Sequence, residues 1–244
     1  SSDLFTQGMV LGSDGSAMSK SKGNVVDPED MVGKYGADTC RLFVLFANAP
    51  EKDMPWIESS VGGPRRFLER VWRFVTRNID RQPENPNPEA DKKALRKLHQ
   101  TIRKVTEDFD NRWHFNTSIA ALMELINELY DQDAGLSRAA LDQILPDLTL
   151  LLAPFAPFVA EEMWEQLGRT GPVFRQPWPK WDGALAQEDT LEIPVQVNGK
   201  LRARIAVPLG TPQSELEKIA QTDSKVLRSE EHTSELQSRL HLVC

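Results

Sequence analysis

Apolar residues through the middle of this chain recur at intervals of three and four. Leu95, Leu98, Ile102, Val105 and Phe109 form one such series, and Ile119, Leu122, Ile126 and Leu129 the next. Leu141, Ile144, Leu145, Leu148 and Leu152 form a third. That period predicts helices over about 90–110, 116–131 and 136–152. Asn116 is the expected cap of the second, and Pro146 the expected kink of the third. Before them, Phe67, Leu68, Val71, Trp72 and Val75 predict a helix over about 64–79. The polar, proline-rich stretch from Arg81 to Pro88 then reads as an exposed loop. Pro154 and Pro157 break the chain ahead of a last helix that ends at Gly168. The fold class is therefore mainly α, an up-and-down bundle in outline.

Both ends read differently. Asp27 is placed to cap a helix that opens at Pro28, with Glu29 and Asp30 in its first turn and Gly36 at its end. The apolar run from Leu42 to Phe46 is too continuous for an exposed face and predicts a buried helix. Beyond Gly168 a connector rich in Pro and Trp runs to about residue 190. Ile193, Val195 and Val197 then alternate with polar residues, Asn198-Gly199 supplies a tight turn, and Leu201, Ala203 and Ile205 return. This is a hairpin signal. A helix from Thr211 to Val226, with Pro212 at its start, completes a unit too small to hold a core alone.

Composition narrows the function. A length of 244 residues fits one or two domains, and a hydrophobic content of 40% supports a real core. A net charge of −7 excludes a generally basic nucleic-acid binder but leaves room for a local patch. The cysteines are Cys40 and Cys244, too few for a disulfide framework or a zinc site, and Cys40 falls in an apolar helix. No bound metal is expected. No secretory signal is visible, and no apolar run approaches the ~20 residues that span a bilayer. A cytoplasmic protein without membrane contact is the expectation.

Two features carry chemistry. Ala17-Met18-Ser19-Lys20-Ser21-Lys22-Gly23-Asn24 sets two lysines among small hydroxyl residues, with Gly12 and Gly15 just before. Lysines on such a loop suit a phosphate chain whose charge shifts during reaction. Composition alone leaves an ordinary solvated loop open. The second feature is Arg66, Arg70, Arg73 and Arg77, spaced by four, three and four along one helix face. Apart from Glu69, no carboxylate lies at a matching position on that helix. The stripe reads as a track for an RNA backbone, or as a solvated charged face. The Lys92-Lys93 and Arg96-Lys97 pairs are weaker candidates, and the six tryptophans read as packing residues.

Taken as strings, Leu4-Phe5-Thr6-Gln7-Gly8-Met9-Val10 and Met18 through Pro28 resemble the signature loop of class I aminoacyl-tRNA synthetases. Ala17 departs from the lysine that usually opens that loop. Tyr35 through Phe43 is shared in outline by the synthetases for leucine, isoleucine, valine and methionine. Ala47 through Trp56, Arg66 through Arg73, Phe115-Asn116-Thr117, Leu151 through Pro157, Gln176 through Asp182 and Val195 through Arg202 resemble the bacterial leucyl-tRNA synthetases. The resemblance runs from about Leu4 to about Leu227. It implies that Lys20 is catalytic, stabilising the transition state of amino-acid activation. Met18, Ser19, Lys20, Ser21 and Lys22 would bind ATP, which arrives with Mg2+.

The resemblance also implies an organisation. Residues 1–58 would end a Rossmann-type catalytic domain, and 59–169 would be the helical anticodon-binding domain. Residues 170–190 would be a linker, and 191–227 a truncated α+β C-terminal domain. The partners implied are tRNA(Leu), with ATP and leucine for the whole enzyme, which would act as a monomer. The family's histidine-rich nucleotide motif, leucine pocket and editing domain are not among these residues, so no aminoacylation is expected from the chain alone. Two alternatives stand beside this reading: a synthetase for valine, isoleucine or methionine, and a stand-alone tRNA-binding module. The stretch Arg228 through Ser238 resembles the translation of a sequencing adapter, so residues 228–244 are expected to be an artefact, and no site is built on His232 or His241.

Overall fold

A computed structural model describes residues 8–111, 113–188, 190–197, 200–208, 211–222 and 240–242. The chain divides into two compact units, Ser1–Ala186 and Gln187–Cys244.

The first unit opens with a two-residue strand, β1 (Val10–Leu11), paired in parallel with β2 (Met54–Pro55). Between them lie α1 (Pro28–Tyr35) and α2 (Ala37–Ala47). Asp27 caps α1 as its sequence predicts, its Oδ1 accepting from the Glu29 amide at 2.9 Å. Gly8 passes so close to the Lys52 backbone that a Cβ would sit 2.3 Å from its carbonyl. Only glycine allows that approach.

Five helices follow: α3 (Gly62–Asn78), α4 (Pro88–Asn111), α5 (Phe115–Gln132), α6 (Arg138–Leu152) and α7 (Pro157–Gln166). Their apolar faces close on one core that includes Phe67, Val71, Phe74, Leu98, Ile102, Leu122, Ile126, Leu141, Leu148 and Phe155. The helical period read from the sequence is the one buried. Asn116 does not cap α5. The helix starts one residue earlier, at Phe115, with His114 at the cap position. Phe115 is drawn in by an edge-on contact with Phe109 at 5.4 Å. α6 is capped by Ser137, whose hydroxyl accepts from the Ala140 amide, and Pro146 lies inside it.

Polar contacts set how the helices meet. Asp38, in the first turn of α2, accepts from the Val159 amide at 2.7 Å and so caps α7 from another helix. Arg138 donates to the carbonyls of Asn78, Ile79 and Arg81, closing the end of α3. Asp108 on α4 accepts from Thr117 and Ser118 on α5. Residues 170–186 also belong to this unit. Trp178 Nε1 donates to Thr106 Oγ1 at 2.9 Å, and the Asp182 amide donates to His99 Nδ1 at 3.1 Å. Of the six tryptophans, Trp164 is buried, whereas Trp113, Trp178 and Trp181 are exposed.

The second unit pairs β3 (Thr190–Val197) with β4 (Lys200–Pro208), antiparallel, with Val197 and Lys200 in register. The predicted turn Asn198-Gly199 lies outside the described residues. Ile193, Val195, Ala203, Ile205 and Val207 form a small core with Leu216 and Ala220 of α8 (Gln213–Thr222). β5 (Leu240–Leu242) adds to the free edge of β3. Residues 223–239 and 243–244, with most of the stretch expected to be an artefact, lie outside the described residues.

Candidate functional site

The lysine-serine loop leaves β1 and folds back on itself. Its stem is held by two side chains. Asp14 accepts from the Ser16 amide at 3.0 Å and from the Ser16 hydroxyl, which hold its carboxyl below the usual range. Asn24 reaches across the loop: its Oδ1 accepts from the Ser19 amide at 2.9 Å, and its Nδ2 donates to Ser16 Oγ at 3.1 Å. Gly12 fits beneath, because a Cβ there would meet Asn24 Nδ2 at 2.9 Å. Gly23, with φ of 64°, turns the chain so that Asn24 points back.

The tip is a short 3-10 turn over Lys20–Lys22. Lys20, Ser21 and Lys22 are exposed, and neither lysine has an ion-pair partner among the described residues. Met18 and Ser19 are half-buried where the tip joins the stem. Two positive charges therefore stand clear on a clasped stem. That arrangement suits a polyanion that comes and goes.

On α3 the four arginines fall on one side, but not in one state. Arg77 Nη2 pairs with Asp133 Oδ2 at 2.8 Å. Arg70 donates to Asn127 Oδ1 at 2.8 Å. Both guanidinium groups lie on the Tyr130 ring, at 5.0 and 4.9 Å from its centre. No carboxylate of α3 pairs with Arg77; its partner, Asp133, comes from beyond α5. Arg66 and Arg73 are exposed and make no ion pair with the described residues. Of the weaker candidates, Lys97 pairs with Glu124 at 2.6 Å. Cys40 is half-buried, and burial raises its thiol pKa, which suits a packing residue rather than a nucleophile. Among the described residues no group of three His, Cys, Asp or Glu is placed to hold a metal ion, and no helix is long and apolar enough to cross a membrane.

A lysine-bearing loop at the end of a parallel strand pair thus leads through two helices into an all-helical bundle. Residues 91–219 match the anticodon-binding domain of tRNA ligase, and residues 2–56 match the class I tRNA synthetases for I, L, M and V. The chain belongs to this family, and the curated relatives it resembles are leucine–tRNA ligases. That of Solibacter usitatus is 54% identical over 91% of this chain and 27% of the relative. That of Syntrophobacter fumaroxidans is 49% identical over 92% of this chain and 28% of the relative. The chain thus spans less than a third of their length. Among solved structures, the Agrobacterium radiobacter K84 LeuRS–tRNA–LeuAMS ternary complex superposes with a TM-score of 0.78. It is 33% identical, over 99% of this chain and 33% of that one. A Mycobacterium tuberculosis methionyl-tRNA synthetase shares the fold over 66% of this chain and 37% of its own, at 20% identity and a TM-score of 0.54.

Proposed function

We propose that this chain is the signature-loop and tRNA-binding portion of a leucine–tRNA ligase. The observation that carries the reading is the clasped loop, with Lys20 and Lys22 standing free at its tip. In the whole enzyme leucine's carboxylate attacks the α-phosphorus of ATP, forming leucyl-adenylate and releasing pyrophosphate. Negative charge grows on the transferring phosphorus and on the departing pyrophosphate. Lys20 meets that charge as it develops, which lowers the barrier more than it tightens ATP binding. Lys22, Ser19 and Ser21 complete the phosphate contacts, with Met18 packing behind them. Mg2+ enters as part of the ATP complex, held by the phosphate oxygens. A ribose hydroxyl at the end of tRNA(Leu) then attacks the leucyl carbonyl of the adenylate, taking the leucyl group and releasing AMP, while the tRNA backbone follows α3. The enzyme works as a cytoplasmic monomer.

Two experiments test this. Alone, the chain binds tRNA(Leu) but shows no leucine-dependent pyrophosphate exchange. Joined to the N-terminal portion of the Solibacter usitatus relative, it supports exchange. There Lys20→Ala lowers kcat by roughly 10²-fold or more, with a smaller change in KM for ATP. An unchanged kcat would remove Lys20 from the chemistry. Exchange with valine, isoleucine or methionine in place of leucine would reassign the substrate.

A further inference from the structure

Between the end of α2, the start of α3 and the middle of α5 lies an open groove of about 780 Å³. Phe43, Met54 and Phe67 are buried and line it. Phe46 and Met123, half-buried, also line it. Arg66 and Arg70, from successive turns of α3, add positive charge. Arg70 is fixed there, between its bond to Asn127 and the Tyr130 ring. No side chain caps α3, and its N-terminus opens on the same groove through Gly63 and Pro64. Among the described residues no carboxylate lines the groove. The other large groove of this unit differs, since Asp38 and Glu69 line it.

An apolar slot with two cations and no acid matches a ligand that has a flat apolar body and an anion attached. We propose that the groove takes one unpaired nucleotide of a bound RNA, its base in the slot and its phosphate on Arg66 and Arg70. This rests on the tRNA-binding reading and adds the subsite. A paired base is held in its stack and presents only an edge, so it does not enter. An unstacked base offers a face to the aromatic and methionine side chains, and guanidinium groups fork the phosphate oxygens. An amphipathic peptide would fill the slot too, but it would have to bring acids of its own to Arg66 and Arg70.

The test uses the 244-residue chain and two short RNA hairpins, identical except that one carries a single bulged 2-aminopurine. The bulged hairpin is expected to bind about 10-fold more tightly, with a change in 2-aminopurine fluorescence. Ala47→Leu and Ser60→Leu each add an aliphatic group to the lining at an exposed position. Either change abolishes the preference for the bulge while melting temperature and tRNA(Leu) binding through the rest of α3 persist. Arg66→Ala weakens both hairpins and reduces the preference. Equal affinity for the two hairpins overturns the subsite, as does a preference that survives both leucine variants. The wider reading fails differently: then neither hairpin nor tRNA(Leu) binds at all, and the subsite falls with it.

Discussion

Arg77 and Asp133 are joined at 2.8 Å, and the same carboxylate also serves two other groups. Asn78 Nδ2 reaches Asp133 Oδ1 at 3.3 Å, and Arg81 Nη1 reaches it at 3.0 Å. Asp133 is therefore the acceptor on which the end of α3 and the loop after it converge. Asp133→Ala leaves two guanidinium groups and a buried carboxamide without that acceptor. Destabilisation of about 2 kcal/mol is expected, read by urea denaturation. Asp133→Asn keeps one acceptor and loses less. A change within about 0.5 kcal/mol for Asp133→Ala would mean that solvent replaces the network without cost.

That pairing divides the arginine stripe by task. Arg77 is neutralised within the fold, and Arg70 is held by Asn127 and Tyr130. Arg66 and Arg73 remain exposed. Arg66→Glu with Arg73→Glu should weaken tRNA(Leu) binding and flatten the slope of log affinity against log salt by about 1–2. The unfolding midpoint should hardly move. Arg77→Glu behaves in reverse: like charge beside Asp133 lowers stability first. If Arg77 changed the salt slope as much as Arg66 and Arg73, the division would be wrong.

The helices were legible because each buries one face, and a buried face writes its period into the sequence. Leu98, Ile102 and Val105 are an example, all fully buried on α4. The lysine-serine loop reads as a string rather than as a period. What joins the helices was not. Asp38 caps α7 across 121 positions of sequence, and Asp133 meets Arg81 across 52. No local pattern marks such pairs, because either partner alone looks like a surface charge. The α5 cap failed for a related reason. Asn116 has the right chemistry for a cap, but aromatic packing of Phe115 moved the helix start past it. Trp113, just before, takes a φ of 51° that nothing in its sequence announces.

Asp147 links pH to stability. Burial raises its pKa to about 6 against the weaker pull of Arg169. The folded chain therefore binds a proton between about pH 4 and 6 that the unfolded chain does not. Stability from this group is greatest at low pH and is lost as pH rises through 6. At pH 8 the carboxylate is charged and poorly solvated. Asp147→Asn should stabilise the protein at pH 8 by about 1 kcal/mol, after discounting for partial exposure, and should gain nothing at pH 4. Thermal melts at the two pH values check it, and an equal gain at both would disprove the linkage.

His99 has the opposite sign. Burial lowers its pKa, opposed by the nearby charge of Asp182, and its Nδ1 must be unprotonated to accept from the Asp182 amide. Below the ordinary histidine value near 6.5 the unfolded chain takes up a proton first. The native contribution is complete above that value and declines as pH falls toward the lower folded value. The polar tie between α4 and the 178–186 segment should loosen with it. Tryptophan fluorescence from Trp178 and Trp181 should report the change before the bundle unfolds. His99→Gln should remove that pH-dependent step.

Asn24 makes the last case, because it separates the stem of the signature loop from its tip. Its carboxamide bonds the Ser19 amide and the Ser16 hydroxyl, whereas Lys20 and Lys22 lie beyond its reach and exposed. Removing the carboxamide should free the stem without touching the core. Asn24→Ala is expected to speed tryptic cleavage after Lys20 and Lys22 by roughly 10-fold, at an unchanged melting temperature, since cleavage follows local opening. Asn24→Asp keeps an acceptor for Ser19 but loses the donor to Ser16, so its rate should fall between. In the enzyme rebuilt with the Solibacter usitatus portion, the same order should appear as rising KM for ATP. Equal cleavage in all three proteins would mean that Asp14 and the backbone hold the stem without Asn24, and that the mobile part begins elsewhere.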